Sequence, residues 1–134
     1  LIKDLNINKS VSFRSELTKK EIAKLYASSS IAIVSSLYEG FGYPVIEAMS
    51  CEVPLIATNV SSIPELVGSY ASLIEPKSYD EIYKAVKQIL LNYDEYERIA
   101  VGGRQHIINT FNWSKITTQY EDIITKTIKE HEKC

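Results

Sequence analysis

The stretch Ile31-Ala32-Ile33-Val34, then Ser35-Ser36-Leu37-Tyr38-Glu39-Gly40-Phe41-Gly42-Tyr43-Pro44, then Val45-Ile46-Glu47-Ala48-Met49, decides the fold. The opening apolar run is too short for a helix and fits a strand buried on both faces, as in a parallel sheet. A polar loop with two glycines follows, and Pro44 suits the first turn of the helix after it, where no N–H is needed. Strand, loop and helix in that order are one half of a βαβ unit.

The same alternation continues on both sides. Pro54-Leu55-Ile56-Ala57 and Ala71-Ser72-Leu73-Ile74 read as further strands, and Val11-Ser12-Phe13 as a short one upstream. Thr18-Lys19-Lys20-Glu21, Ser62-Ile63-Pro64-Glu65 and Ser78-Tyr79-Asp80-Glu81 read as capping boxes, each opening a helix. Behind the first, Ile22, Leu25 and Tyr26 share a helical face. Behind the last, Tyr79, Ile82, Tyr83, Val86, Ile89 and Leu90 do the same. A helix is expected from about Asp94 to Asn109, and a final amphipathic one after Phe111-Asn112-Trp113, marked by Ile116, Tyr120, Ile123 and Ile124. The fold class is α/β: a Rossmann-like parallel sheet flanked by helices, read as one domain over residues 1–134.

Composition narrows the function classes. Fifteen Lys and Arg against 17 Asp and Glu leave a net charge of −2, without the basic surplus of a nucleic-acid protein. No run reaches the roughly 20 apolar residues of a membrane span, and no signal peptide opens the chain. Cys51 and Cys134 make no disulfide framework, and His106 and His131 lack zinc-site spacing. The expected setting is the reducing cytoplasm, with a peripheral place on the inner membrane face left open for a longer protein. In parallel sheets, ligands bind at the carboxyl ends of the strands, so the loop after Val34 is the first place to look for chemistry. Gly40 and Gly42 allow positive φ or close approach of a ligand. The helix start beyond them offers free N–H groups to an anion. Glu39 and Glu47 are carboxylates able to accept paired hydroxyls, as from a sugar or ribose. By periodicity alone Glu47 lies either on an exposed stripe or against a polar cavity.

The string from Ser36 to Met49, S-x-Y-E-G-F-G-x-P-x-x-E-A-M, closely resembles the donor-site signature of retaining glycosyltransferases of the GT-B fold, the family 4 "group 1" class. The likeness continues through Pro54–Ala57, Ile63–Val67, Ala71–Pro76 and Phe111–Trp113, so it covers nearly the whole chain. It implies the C-terminal, nucleotide-sugar-binding part of such an enzyme. In it Glu47 would hold the ribose hydroxyls, and Glu39 would stand by the donor sugar and reacting centre. Gly40, Phe41, Gly42, Tyr43 and Pro44 would meet sugar and diphosphate, and Arg14, Ser15 and Leu17 would lie beside the base. Ser15 stands where the family usually has glycine. The class is typically metal-independent, and this chain contains no Asp-x-Asp. It also implies that the acceptor-binding domain, and two strands carrying the Arg and Lys that neutralise the leaving diphosphate, precede Leu1. The product class expected is a glycan, lipid or other glycosylated acceptor, as in polysaccharide biosynthesis. The fragment would then leave the Ile31 strand at a sheet edge, covered either by the Val11 strand or by pairing with a second chain.

The alternative function is a non-catalytic nucleotide-sugar-binding module, or one subunit of a split transferase. A receiver-like domain is disfavoured, because no aspartates cluster at the ends of the strand candidates. Outside the loop, Glu65 is expected to serve its capping box, Trp113 to pack, Cys51 to be a small buried residue, and Arg104 and His106 to lie on a solvated face or in a salt bridge. Tyr38 and Tyr43 flank the glycine turn as candidate sugar contacts or half-buried residues. The Lys126–Lys129 stretch with Glu130 and Glu132 is expected to be a solvated helix end.

Overall fold

A computed structural model describes residues 1–131, so Glu132 and Cys134 lie outside it. The elements are α1 (Lys19–Ala27), β1 (Ala32–Val34), α2 (Tyr43–Ser50), β2 (Leu55–Thr58), α3 (Ile63–Val67), β3 (Ser72–Ile74), α4 (Tyr79–Leu91), α5 (Tyr93–Thr110) and α6 (Trp113–His131). The three strands form one parallel sheet in the order β1-β2-β3, and a helix lies on each crossover. Ala32 to Val34 register against Leu55 to Ala57, and Ile56 to Thr58 against Ser72 to Ile74.

Side chains of neighbouring parallel strands in register point to the same face. Ala32, Val34, Leu55 and Ala57 therefore meet Val45, Ala48 and Met49 of α2, Ile63, Leu66 and Val67 of α3, and Ile107 of α5. On the other face Ile56 and Ile74 pack with Ile89 of α4, edged by Ile82, Val86, Tyr93 and Tyr96. Burying an isoleucine or methionine fully contributes roughly 1.5–3 kcal/mol. Met49, Ile56, Ile63 and Ile89 are all fully buried, so this double-sided core holds the carboxyl end of the sheet in place.

Several expectations are corrected. Val11–Phe13 is not a strand, and Phe13 is 85% exposed. A strand needs a ladder partner to satisfy its backbone, and among the described residues β1 pairs only with β2. The Val11 segment therefore does not cover the β1 edge. For the same reason β1 is not buried on both faces: Ile33 is 45% exposed beside its fully buried register partner Ile56. Trp113 is 82% exposed, because α6 buries none of its residues. The segment before it is instead fixed by Phe111, which packs on the core, and by Asn112, whose Oδ1 accepts from the Ser114 amide at 2.9 Å. On α4, Tyr79, Tyr83 and Leu90 sit at the margin of the apolar stripe and are exposed.

The capping boxes differ from one another. At Thr18 the reciprocal pair is complete, and it holds the Glu21 carboxyl below the usual carboxylate range. At Ser78 the hydroxyl accepts from the Glu81 amide, but the Glu81 carboxylate accepts from the Glu75 amide at 2.7 Å instead of closing the box. At Ser62 there is no side-chain cap at all, and Glu65 is exposed.

Candidate functional site

The loop joining β1 to α2 opens at the carboxyl end of the sheet, where topology directs ligands. Its geometry turns on Gly42, which caps α2 at φ +97°, a left-handed conformation that L side chains adopt with strain. A Cβ there would also lie 2.8 Å from Leu66 Cδ1 of α3. Gly40 differs: its φ is not positive, and a Cβ on it would meet nothing within 4 Å. Gly42 is therefore required by the chain's own turn, whereas nothing among the described residues requires a glycine at 40. Phe41 sits edge-on to Tyr43 (centroids 5.3 Å apart) and to Phe111 (5.8 Å), so the end of α5 buttresses the loop.

Three hydroxyls tie the loop down. Ser36 Oγ donates to Glu39 Oε1 at 2.7 Å, and Thr58 Oγ1, at the end of β2, donates to the Ser36 carbonyl at 2.6 Å. Ser62 Oγ, freed from capping duty, donates to the Phe41 carbonyl at 3.0 Å, with the Glu39 carbonyl at 3.4 Å. The loop's amides are left over. From Gly40 to Tyr43 none has an acceptor among the described residues. Unpaired N–H groups next to the positive end of a helix are the usual recipe for binding an anion.

Glu47 lies one turn into α2 and is exposed. It lines a groove of about 340 Å³ together with Ile22, Leu25, Tyr26, Ile33 and Val34. Tyr26 reaches α2 through its hydroxyl, which donates to the Pro44 carbonyl at 3.4 Å. Burial pushes the Tyr26 phenol up, and the negative charge of Glu47 adds to the rise. The Cys51 thiol, half-buried, is also pushed up by burial, with Arg104 acting against it. Glu39 does not line the Glu47 groove.

Arg14 and Leu17 line a separate groove of about 310 Å³ with Glu21, Lys24, Leu25 and Ser28. Leu25 is the shared wall between the two grooves. Ser15 is exposed on the same segment and lines neither. The chain thus sets Glu39 and Gly40 to Pro44 consecutively on the β1–α2 loop and the start of α2, with Glu47 further along that helix. It leaves Arg14, Ser15 and Leu17 across a ridge. Tyr38 and Tyr43 are exposed. Arg104 does form a salt bridge, to Glu52 at 3.5 Å, and donates to the Ser50 carbonyl at 2.8 Å. His106, expected in solvent or in a salt bridge, is half-buried. Its Nε2 is 3.1 Å from the Leu66 carbonyl, and its ring lies against Tyr70.

Sequence reasoning missed Thr58, Ser62, Tyr26 and Phe111. For Thr58 a signal existed, since a polar residue closes an otherwise apolar strand. The other three act through contacts 18 to 70 positions away in the chain, which no local pattern announces.

Comparison with known proteins converges on one group. The sequence model of the family "Glycosyl transferases group 1" matches residues 1–106. The MMP alpha-(1->4)-mannosyltransferase of Mycolicibacterium hassiacum is 33% identical across all of this chain, which spans 33% of that relative's length. The O-antigen chain mannosyltransferase B of Escherichia coli is 37% identical over 75% of this chain and 26% of its own. In fold, sucrose-phosphate synthase from Thermosynechococcus elongatus superposes on 96% of the chain with a TM-score of 0.84 at 25% identity, over 33% of its length. The Anabaena protein HepE, solved in complex with UDP-glucose, superposes on 93% of the chain, and 35% of HepE, with a TM-score of 0.82 at 22% identity. The chain spans about a quarter to a third of the length of these proteins. The match over most of its residues and the shared parallel sheet lead to one conclusion: this chain belongs to the glycosyl transferases group 1 family.

Proposed function

We propose that the β1–α2 loop and the start of α2 hold the diphosphate and sugar of a nucleotide-sugar donor, in an enzyme that transfers the sugar with retention at the anomeric carbon. The observation that carries this is the run of unpaired amides from Gly40 to Tyr43, set on a loop that the rest of the chain ties down, next to two carboxylates. In this reading Glu47 accepts the two ribose hydroxyls, one on each oxygen, and Glu39 takes a sugar hydroxyl near the centre where positive charge develops. The open space at Gly40 leaves room for the sugar against the backbone. Arg14 and Leu17 flank the base from the adjoining groove, with Ser15 on the exposed segment between them. The transfer proceeds without a bound metal, the helix start and basic side chains from elsewhere in the complete enzyme carrying the charge of the leaving diphosphate. The acceptor binds to a separate domain of that enzyme. Two mannosyltransferases among the relatives and the UDP-glucose complex of HepE support a nucleotide hexose as the donor class.

The two glutamates test this separately. By calorimetry with UDP and GDP, Glu47→Gln weakens nucleoside diphosphate binding by about 1–3 kcal/mol, the scale of a hydrogen bond to a charged group. Glu39→Gln in the complete transferase lowers kcat by at least about tenfold while nucleoside diphosphate affinity barely moves. Unchanged affinity in the first variant removes Glu47 from the ribose, and equal losses of kcat and affinity in the second make Glu39 a plain nucleotide contact. The 134-residue chain alone transfers no sugar in this reading, because the acceptor site and the basic pair lie outside it.

A further inference from the structure

Thr58 is the one polar side chain buried among the described residues, 1% exposed at the last position of β2. A hydroxyl in that place is unfavourable unless it is hydrogen-bonded. Valine would keep the β-branched shape without needing a partner. The Thr58 hydroxyl proton is committed to the Ser36 carbonyl at 2.6 Å. Ser36 in turn commits its own hydroxyl proton to Glu39 Oε1 at 2.7 Å. The series runs from the rigid centre of the sheet, through the backbone and side chain of Ser36, to a carboxylate in a loop. Glu39 has no other donor among the described residues, so one oxygen is pinned and Oε2 is left for a ligand.

From this we infer that Ser36 and Thr58 are positioning residues for Glu39: they fix its carboxylate orientation before the sugar arrives. The inference rests on the reading of Glu39 given above. The physical reason is that a glutamate in a loop samples several rotamers, and only the one facing the reacting centre assists it. A donor on one oxygen selects that rotamer, and a strand-end hydroxyl keeps the donor itself from drifting. Ser62 acts on the same loop from α3, but on the carbonyls of Glu39 and Phe41, so it holds the loop's path and not the carboxylate.

Two measurements test the relay. In the 134-residue chain, three-bond NMR couplings report the side-chain rotamers of Glu39. A single rotamer is expected in the wild type, averaging in Ser36→Ala and Thr58→Val, and recovery in Ser36→Thr. Averaged couplings in the wild type, or unchanged couplings in Ser36→Ala, overturn the relay whatever the donor. In the complete transferase, with UDP-glucose and GDP-mannose as trial donors, Ser36→Ala is expected to lower kcat by about tenfold with donor KM within about twofold. Ser36→Thr is expected to restore the rate. Added to Glu39→Gln, Ser36→Ala is expected to change nothing further, because it acts only through Glu39. A slow Glu39→Gln with a wild-type Ser36→Ala rate sinks the relay alone. A wild-type rate for Glu39→Gln sinks the assignment of Glu39 itself. Additive losses in the double variant, or equal losses in kcat and 1/KM, mean that Ser36 is structural.

Discussion

Residues 35–42 and residues 1–18 both carry residues of the proposed donor site, and the chain supports them unequally. The first segment is bonded to the end of β2 through Thr58, to the start of α3 through Ser62, and leans on the end of α5 through Phe111. The hydrogen bonds of the second stay among its own turns and in the first turn of α1, as in Leu5 to Leu1, Ser10 to Ile7 and the Thr18–Glu21 box. The loop's shape is therefore set by the whole core, whereas the N-terminal segment is set locally. In the proposed reading, the loop assigned to sugar and diphosphate is held by the core, whereas the segment assigned to the base, with Arg14, Ser15 and Leu17, makes its hydrogen bonds locally.

The sharpest way to break the contrast is at Gly42. Alanine there must hold φ near +97° and push its Cβ into Leu66. Gly42→Ala is expected to lower stability by about 2 kcal/mol, the sum of left-handed strain and a forced shift in α3. Denaturant unfolding measures it, and Gly40→Ala is the control: no strain or clash meets its Cβ, so stability changes little. Equal losses at both glycines would show that the loop is not anchored at Gly42. A smaller effect is expected at Phe111→Leu, which keeps an apolar side chain but loses the edge-on contact with Phe41, worth about 0.5–1.5 kcal/mol. That loss should disappear in a Phe41→Leu background, by a double-mutant cycle.

How far these regions could be read from residues alone follows the range of the forces that hold them. The strands at Ile31, Leu55 and Ser72, and the helices on their crossovers, come from short-range periodicity, and they stand in the expected order. So does the Thr18 capping box, which closes within four residues. Val11–Phe13 has the composition of a strand, but strand formation depends on a partner edge that no local pattern supplies. Ser62-x-x-Glu65 has the spacing of a cap, yet the serine's better acceptors are carbonyls more than 20 positions away. Likewise the glycine loop stands where the short-range pattern set it, between β1 and α2, while its tie to the Ser62 hydroxyl became visible only in three dimensions, and Thr58 was signalled only as a polar residue closing an apolar strand.

The smallest expected effect lies in the N-terminal segment. Hydrogen bonds from Thr18 lower the Glu21 carboxyl from its ordinary value. A carboxyl lowered on folding contributes stability that is present above the unfolded value and is lost as pH falls through the folded one. Acidification below the ordinary carboxylate range should therefore fray the start of α1, seen as a lower amide-exchange protection factor at Thr18 and Glu21, each rate being taken relative to its intrinsic rate at the same pH. The amides of Val45 and Ile46, which donate to the Gly42 carbonyl at the end of the glycine loop, should not follow. Loop and segment fraying together would mean that their support is shared, against the contrast drawn above.

Whether the unpaired amides beyond β1 receive a donor's anion is read by NMR titration of the nitrogen-15-labelled chain with UDP, GDP and ADP, each with and without the attached hexose. The largest amide shifts are expected at Gly40, Phe41, Gly42 and Tyr43, followed by Glu47 on α2, with the hexose moving Glu39 further. Smaller and more nucleotide-dependent shifts are expected at Arg14 to Leu17. Saturable shifts centred elsewhere, such as the α4–α5 turn, or no shift at the glycine loop with any of these nucleotides, would contradict the proposed donor site.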